Sequence, residues 1–267
     1  MRSVSGSIHV LVVRLDTMLR VAHPIRIPAE VAAPVGNVAL TAAVLGVGFG
    51  LCAPQAVALL VDWARNTQGW KSLLMAPPLH FYLAAWTLFH LLEFLVTAYW
   101  NATHLQADSF LLQNGIEYAA AHAFGLLEFL VEGAFVPYWK QVRALQVLGV
   151  LLLVLGQMIR SLAMVHASTN FSHTVASAKR DDHVLVTHGV YRLARHPSYA
   201  GFFYWAVGTQ ILLGNPVSTL LFICTLSRFF AQRIRHEEYL LHRFFGKEYA
   251  RYAARVPAGV PLVRFVT

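Results

Sequence analysis

Six runs of mostly apolar residues recur along the chain, separated by short segments that contain polar residues, glycine or proline. They cover residues 38–61, 79–100, 115–136, 144–166, 199–213 and 216–235. A membrane-spanning helix needs about 20 mostly apolar residues, and every run except the fifth reaches that length. The pattern predicts an all-α integral membrane protein with about six transmembrane helices.

The last two runs are joined by Gly214, Asn215 and Pro216, which leave almost no room for a loop, so they are predicted to form an antiparallel hairpin. Beyond residue 235 the helical pattern continues without a breaker to Gly246. A helix of about 30 residues is about 45 Å long, whereas the hydrocarbon core of a bilayer is ~30 Å thick. The sixth helix is therefore predicted to project several turns beyond the membrane.

The composition supports a membrane protein. Apolar residues make up 57% of the 267 and charged residues 13%, with a mean hydropathy of +0.53. Soluble domains carry about 25% charged residues, so lipid is expected to contact much of this surface. The net charge is +8, and eight of the 21 Lys and Arg residues fall between residues 228 and 264. A basic tail can bind nucleic acid, but after so many apolar segments a cytosolic, lipid-facing tail is favoured.

The positions of Lys and Arg also favour an even number of spans. With six spans and both termini cytosolic, 16 of these residues lie on the cytosolic side, four lie on the opposite side, and Arg160 lies within a span. Cytosolic segments of membrane proteins are enriched in Lys and Arg. Five or seven spans would place the N-terminal basic group opposite the basic tail, which weakens both alternatives.

Several ionisable residues lie at membrane depth, where they are costly unless they are paired or face a cavity. They are Glu93, Glu117, Glu128, Glu132 and His122. Two interpretations stay open at this point: polar contacts that hold helices together, and the lining of a substrate cavity.

A dense polar cluster precedes the fifth apolar run and includes Tyr191, Arg195, His196 and Tyr199. Pro197 suits the first position of a helix, so the cluster is predicted at the mouth of the fifth helix. On the sixth helix, Arg233 and Glu237 are four residues apart and therefore share a face. They form either an exposed ion pair, worth only a few tenths of a kcal/mol, or part of a site.

Several common chemistries have no matching motif. The chain has no His-Glu-x-x-His, His-x-x-His-His or Cys-x-x-Cys spacing, so no metal site is expected. Ser198 is not in a nucleophile elbow, and no Gly-x-Gly-x-x-Gly follows a strand. Cys52 and Cys224 lie inside apolar runs, where they are interpreted as small buried hydrophobes.

Two C-terminal stretches carry a family resemblance: LVTHGVYRLARHPSYAGFFYWAVGTQILLGNP and RFFAQRIRHEEYLLHRFFGKEYARYAARVPAGVP. They resemble the C-terminal half of the protein-S-isoprenylcysteine O-methyltransferase family. The resemblance continues upstream through SFLLQNGIEYAAAHAFGLLEFLVE and FHLLEFLVTA and covers about residues 79–261. The Arg-His-Pro-x-Tyr-x-Gly motif is only moderately specific, because phospholipid N-methyltransferases and some sterol reductases have a similar segment. The upstream match and FFGKEYxxYxxRVPxGVP together strongly favour the isoprenylcysteine family.

The resemblance implies an enzyme of the endoplasmic reticulum membrane. It would use S-adenosylmethionine to methylate the C-terminal α-carboxylate of farnesyl- or geranylgeranyl-cysteine in CaaX-processed proteins, and release S-adenosylhomocysteine. Arg233 matches the family position that faces the substrate carboxylate, and Glu237 matches one that faces the cofactor, so both are implied catalytic residues. The family's cofactor-binding positions that match are His183, Val184, Leu185, Val186, Tyr191, His196, Pro197, Ser198, Tyr199 and Glu237. One further cofactor-binding position departs, because this chain has Ala176 where the family has glutamine.

The apolar runs and the resemblance together predict one catalytic membrane domain with three segments. These are an N-terminal interfacial or variable segment (1–37), transmembrane helices 1–4 (38–166), and a cofactor-binding loop, helical hairpin and cytosolic C-terminal region (167–267). The 167–198 loop and the extended C-terminal helix would form a cofactor-binding lip that faces the cytosol. Prenylated CaaX-type proteins and membrane lipid are the implied partners, with no nucleic acid. The alternatives are a phospholipid amine N-methyltransferase, an NADPH-dependent sterol reductase, and a non-enzymatic helical bundle.

Overall fold

The computed structural model describes residues 35–65, 72–261 and 263, so the predicted interfacial helix near the N-terminus lies outside the described residues. The described parts are all helical and contain no β-strand. Their α-helices are α1 (Val35–Arg65), α2 (Pro77–Trp100), α3 (Ile116–Phe135), α4 (Pro137–Lys140), α5 (Arg143–Ala167), α6 (Pro197–Leu212), α7 (Pro216–Phe245) and α8 (Lys247–Ala253). Short 3-10 helices lie at Leu73–Met75, Ala102–His104, Ala107–Phe110, Ser168–Asn170 and Gly189–Arg192.

Each predicted apolar run corresponds to one of the long helices α1, α2, α3, α5, α6 and α7. The extension of the last helix is confirmed, because α7 continues for 30 residues to Phe245. By length and hydropathy, four described segments can cross a membrane: Gly36–Trp63, Pro77–Trp100, Arg143–Asn170 and Pro216–Phe245. Helix α6 has only 16 residues, and α3 carries three glutamates within its 20 residues. The chain is therefore a multi-pass membrane protein, while the count of six spans stays a prediction.

The surface of α1 is apolar on the side that faces away from the bundle. Leu40, Val44, Val47 and Leu51 are each more than 60% exposed. A soluble monomer rarely exposes a continuous apolar patch of this kind, whereas lipid chains cover such a surface without cost. The exposed face of α1 therefore agrees with the membrane environment that the composition indicates.

Helices α5 and α6 pack with their backbones almost in contact. A Cβ added at Gly201 would lie 2.6 Å from the backbone nitrogen of Arg160, and one added at Gly208 would lie 2.7 Å from that of Leu153. Small residues at helix interfaces permit this approach in membrane proteins. The close packing places the start of α6, with the predicted polar cluster, directly beside the C-terminal half of α5.

The start of α7 is anchored by buried polar groups at the end of the bundle remote from that cluster. The carboxylate of Glu128 accepts hydrogen bonds from the backbone nitrogens of Val217 (2.8 Å) and Ser218 (2.7 Å), which caps the helix. Lys140 is 1% exposed and donates to Glu132 (2.8 Å) and to Asn215 (2.7 Å). These glutamates hold helices together, so the first of the two interpretations applies to them.

Candidate active site

A small cavity of about 110 Å³ lies between the 167–198 loop, the start of α6 and the C-terminal half of α7. All of the predicted cofactor-binding residues except Ala176 line it. These are His183, Val184, Leu185, Val186, Tyr191, His196, Pro197, Ser198, Tyr199 and Glu237. Ala176 lines neither this cavity nor the larger one beside it.

The loop that forms one wall of the small cavity is fixed by local contacts. Gly189 adopts a φ of +59°, a left-handed conformation that glycine tolerates, and its neighbour Val190 donates its backbone N–H to His166 Nδ1 (3.3 Å). Asn170 Oδ1 accepts a hydrogen bond from the backbone nitrogen of Val184 (2.8 Å). These contacts tie residues 184–190 to the end of α5, which gives the cavity a defined wall without regular secondary structure at 183–187.

Glu237 brings an unsatisfied carboxylate oxygen to the small cavity. Its Oε2 is buried and has no hydrogen-bond partner among the described residues. The nearest cationic group is His196, whose Nδ1 lies 3.6 Å from this oxygen. A buried carboxylate oxygen without a donor is costly, so the cavity is suited to a ligand that carries a positively charged N–H group.

His196 lies between two adjacent carboxylates of α7. Its Nε2 is 2.8 Å from Glu238 Oε1, and its Nδ1 faces Glu237. Burial by itself would lower the pKa of His196, but the facing carboxylates of Glu237 and Glu238 outweigh burial and raise the pKa above its ordinary value. The ring is therefore held as an imidazolium over a wider pH range than an ordinary histidine.

A second, much larger cavity of about 620 Å³ adjoins the first. It lies between α3, α6 and α7, and most of its wall is apolar, formed by Phe202, Ala206, Phe222, Leu226 and Phe230. On α7 the lining positions run from residue 221 to residue 233, which corresponds to about 18 Å of helix. A cavity of this length and polarity fits a long hydrocarbon chain.

Arg233 lies at the end of the large cavity that is closer to the small one. Its Nε donates to the Tyr199 hydroxyl (2.9 Å), and its Nη2 donates to the backbone carbonyl of His173. No carboxylate of the described residues lies within ion-pair distance of Arg233, so the predicted alternative of an exposed pair with Glu237 does not occur there. The guanidinium keeps its capacity to bind an anion.

Arg160 is a second cation on the wall of the large cavity, but its charge is already neutralised. Its Nε and Nη2 donate to the two carboxylate oxygens of Glu93, both at 2.8 Å, and its Nη1 donates to Ser198. From the sequence, Arg160 and Glu93 are recognisable only as charges at membrane depth. Their opposite charges, in two separate apolar helices, are the signal from which an ion pair could have been predicted.

The two cavities share a wall made of Phe171, Ser172 and Tyr199. Tyr199 is the centre of this wall, because its ring stacks on His196 (5.7 Å between centroids) and on Phe230 (5.1 Å). Tyr199 was predicted as a site residue from the sequence, whereas Phe171 and Ser172 were not, because no motif distinguishes them. His122 and Glu117 line the large cavity, so the second of the two interpretations applies to them.

The fold and this pair of cavities define a multi-pass membrane protein that joins an apolar chamber, with the Arg233 guanidinium in its wall, to a smaller polar chamber with the buried Glu237 carboxylate in its wall. A sequence model of the isoprenylcysteine carboxyl methyltransferase (ICMT) family matches residues 148–243. The chain is 47% identical over 188 residues to protein-S-isoprenylcysteine O-methyltransferase of Saccharomyces cerevisiae, covering 68% of this chain and 79% of that protein. It is 42% identical over 243 residues to the Schizosaccharomyces pombe protein of the same name, covering 86% and 96%.

The human protein-S-isoprenylcysteine O-methyltransferase is 46% identical over 185 residues, covering 69% of this chain and 65% of the human protein. A solved structure of a eukaryotic intramembrane Ras methyltransferase, ICMT, superposes with a TM-score of 0.68 at 38% identity, covering 70% of this chain and 67% of that one. The chain therefore belongs to the isoprenylcysteine carboxyl methyltransferase family, and the family resemblance predicted from the sequence is confirmed.

Proposed function

We propose that this protein esterifies the C-terminal α-carboxylate of prenylated cysteine, farnesyl or geranylgeranyl, in CaaX-processed proteins, with S-adenosylmethionine as the methyl donor. The observation that carries this proposal is the arrangement around Tyr199. The guanidinium of Arg233 lies on one side, in the apolar cavity, and the buried Oε2 of Glu237, which has no hydrogen-bond partner among the described residues, lies on the other, in the polar cavity. An anionic lipid-like acceptor and a cationic polar donor would therefore meet across one shared wall.

The small cavity has the chemistry that the methyl donor requires. S-adenosylmethionine carries an ammonium group, which the buried Oε2 of Glu237 is suited to accept. The rings of Tyr191 and Tyr199 line the same cavity, and aromatic faces attract cations such as a sulfonium. At about 110 Å³ the cavity is smaller than the 300–1,000 Å³ typical of ligand sites. We therefore propose that the His183–Val186 wall separates from α7 when the donor binds.

The chemistry needs no general base, because a terminal α-carboxylate has a pKa of about 3.3–3.7 and is ionised at neutral pH. When bound, S-adenosylmethionine supplies an electrophilic methyl group, so that attack by a carboxylate oxygen forms the methyl ester and breaks the carbon–sulfur bond to leave S-adenosylhomocysteine. The work of the protein is then positioning and exclusion of water. Arg233 holds the carboxylate, Tyr199 fixes the Arg233 side chain, and the aromatic wall of the large cavity keeps the prenyl chain out of water.

The placement in the cell has two parts. We propose that the small cavity faces the cytosol, because most Lys and Arg residues would then lie on the cytosolic side. We propose that the membrane is that of the endoplasmic reticulum, as the family resemblance implies. The division into segments 1–37, 38–166 and 167–267 is part of the same proposal. Residues of the last segment form the wall of the small cavity, whereas the large cavity also has residues of α3 and α5 from the middle segment in its wall. Glu93, from the same middle segment, pairs with Arg160.

The test is methyl transfer in membranes that contain this chain, labelled S-adenosylmethionine and N-acetyl-S-farnesylcysteine, scored as base-labile methyl ester. We expect ester formation in the wild type and near-complete loss in Arg233→Ala. Glu248→Gln, at an exposed position on α8, is the matched control and should keep wild-type activity. No ester above that of control membranes would overturn the proposal. Ester formation retained in Arg233→Ala would show that Arg233 does not hold the carboxylate. Transfer of the labelled methyl group to phospholipid, without base-labile ester, would instead favour a phospholipid amine as the acceptor, because an arginine opposes a cationic amine.

A further inference from the structure

The Glu238 carboxylate accepts hydrogen bonds both from residues beside the predicted site and from α8 in the C-terminal region. One of its oxygens, Oε1, accepts hydrogen bonds from Arg195 Nε (2.8 Å), His196 Nε2 (2.8 Å) and Tyr249 Oη (2.9 Å). Three donors on one oxygen fix the carboxylate in place. Charge-assisted hydrogen bonds of this kind are stronger than neutral ones.

Arg195 and His196 also attach a C-terminal segment, residues 253–258, to the residues just before α6. Arg195 donates from its side chain to the carbonyl oxygens of Ala253 and Val256 and from its backbone to that of Pro257 (2.8 Å), while the backbone nitrogen of His196 donates to Ala258 (3.1 Å). The His196 ring is thereby held between the C-terminal segment and α7. It is 5% exposed, so its orientation is set by the protein and not by water.

The two ring nitrogens of His196 face different carboxylates. Because a carboxylate only accepts hydrogen bonds, Nε2 carries the proton that reaches Glu238. In a neutral ring Nδ1 would then be a bare acceptor facing the Glu237 carboxylate at 3.6 Å, and the two lone pairs would repel each other. Only the imidazolium has a proton on each nitrogen and can face both carboxylates.

We propose that Glu238 is a positioning residue for the methyl-donor side of the site, because its charge keeps His196 in the doubly protonated form that holds the carboxylate of Glu237 toward the small cavity. This inference rests on the proposed function. Glu238 does not line either cavity and acts only through His196. Loss of its charge is expected to weaken binding of the donor and to make that binding sensitive to alkaline pH.

The other groups near His196 do not stabilise its doubly protonated form. Tyr199 stacks on its ring as an uncharged phenol and faces Arg233 with its hydroxyl. Arg195 and Tyr249 contact Glu238 itself, from the start of α6 and from α8. Burial lowers the pKa of His196, and Glu237 and Glu238 raise it. Removal of the Glu238 charge therefore leaves one carboxylate where there were two.

The first test measures binding of S-adenosylhomocysteine to purified protein by titration calorimetry between pH 6 and pH 10. Glu238→Gln keeps the size of the side chain and an acceptor oxygen, but removes the charge. In both proteins the affinity for S-adenosylhomocysteine should decrease as the pH rises. We expect the midpoint of this decrease to lie about 1–3 pH units lower in Glu238→Gln than in the wild type, which is the usual effect of removing one nearby opposite charge. Glu238→Asp keeps the charge and should retain the wild-type pH dependence, and Glu248→Gln should match the wild type throughout.

The second test needs no variant at position 238 and does not depend on turnover. In ¹⁵N-histidine-labelled wild type at pH 8, where ordinary histidines are neutral because their pKa is about 6.5, one ring should still show both nitrogens protonated, and His196→Asn should remove that signal. Absence of such a ring, or a Glu238→Gln pH dependence that superimposes on the wild type, would overturn the inference. Failure of the wild type to form methyl ester would instead overturn the proposed function.

Discussion

The buried pair of Glu93 and Arg160 gives a quantitative prediction for Glu93→Gln. The Glu93 side chain is 1% exposed and that of Arg160 is 7% exposed, and two hydrogen bonds of 2.8 Å join them. The amide in Glu93→Gln has one acceptor oxygen and no charge. Arg160 would then keep a full positive charge in an apolar bundle with only Ser198 and one amide oxygen to receive its protons.

Removal of one partner from a buried ion pair costs about 3–5 kcal/mol, because the remaining charge stays buried without compensation. In a chain of this size each kcal/mol corresponds to about 2–4 °C in the unfolding midpoint. The expected decrease for Glu93→Gln is therefore about 6–20 °C. Replacement of both residues by methionine removes both charges, and apolar replacements of such pairs are often neutral, so the double variant should recover most of the loss.

The assay is thermal unfolding of detergent-purified protein, followed by the temperature at which half of it leaves the monodisperse peak in size-exclusion chromatography. Unfolding of a membrane protein is commonly irreversible, so all variants are compared at one heating rate. Glu248→Gln again serves as the exposed control. A Glu93→Gln midpoint within 2 °C of the wild type, or a double variant no more stable than the single one, would refute the buried-charge argument.

Three further predictions concern packing, the large cavity and pH. Gly208→Val should reduce the yield of folded protein by an overpacking cost of about 1–3 kcal/mol, since its Cβ would lie 2.7 Å from the Leu153 backbone nitrogen; a yield equal to wild type in quantitative purification would contradict this. Ala206→Phe should raise the KM for N-acetyl-S-farnesylcysteine by about tenfold if it displaces two methylene contacts of ~0.8 kcal/mol each, with S-adenosylhomocysteine affinity unchanged in calorimetry; a change in the latter alone would be inconsistent with the assigned cavity. The pKa of His196 is raised in the folded protein, so its contribution to stability is complete below about pH 6.5 and is lost as the pH rises through the pKa of the folded protein. Thermal unfolding midpoints measured from pH 6 to pH 10 should therefore decrease at alkaline pH. An increase there would contradict the assigned direction of the pKa shift.

The long helices were predictable because each is encoded locally. Apolar runs of sufficient length mark their interiors, and Pro77, Pro197 and Pro216 mark three of their first turns. The number of membrane crossings was not decided by the same pattern. Helix α6 has 16 residues, fewer than the about 20 that a membrane-spanning helix needs. How deeply it enters the membrane depends on the helices that it packs against.

The residues that line the small cavity were predictable where one short segment supplies several of them, as residues 183–199 do. Contacts between residues far apart in the sequence were not predicted. Arg160 and Glu93 are 67 residues apart, and their pairing depends on how α2 and α5 pack. Glu237 and Glu238 are sequence neighbours, yet only the rotation of α7 against α6 determines that one lines the cavity and the other contacts Arg195. Ala176 stands at a position where the family has glutamine, and the described loop places it outside both cavities.

The shared wall of Phe171, Ser172 and Tyr199 also has a kinetic consequence. One reactant arrives dissolved in water and the other dissolved in the bilayer, so their concentrations have different units: moles per litre for the first and mole fraction of lipid for the second. Added lipid vesicles should dilute the prenylated reactant within the bilayer and raise its apparent half-saturation value, whereas that of the water-borne reactant should not change.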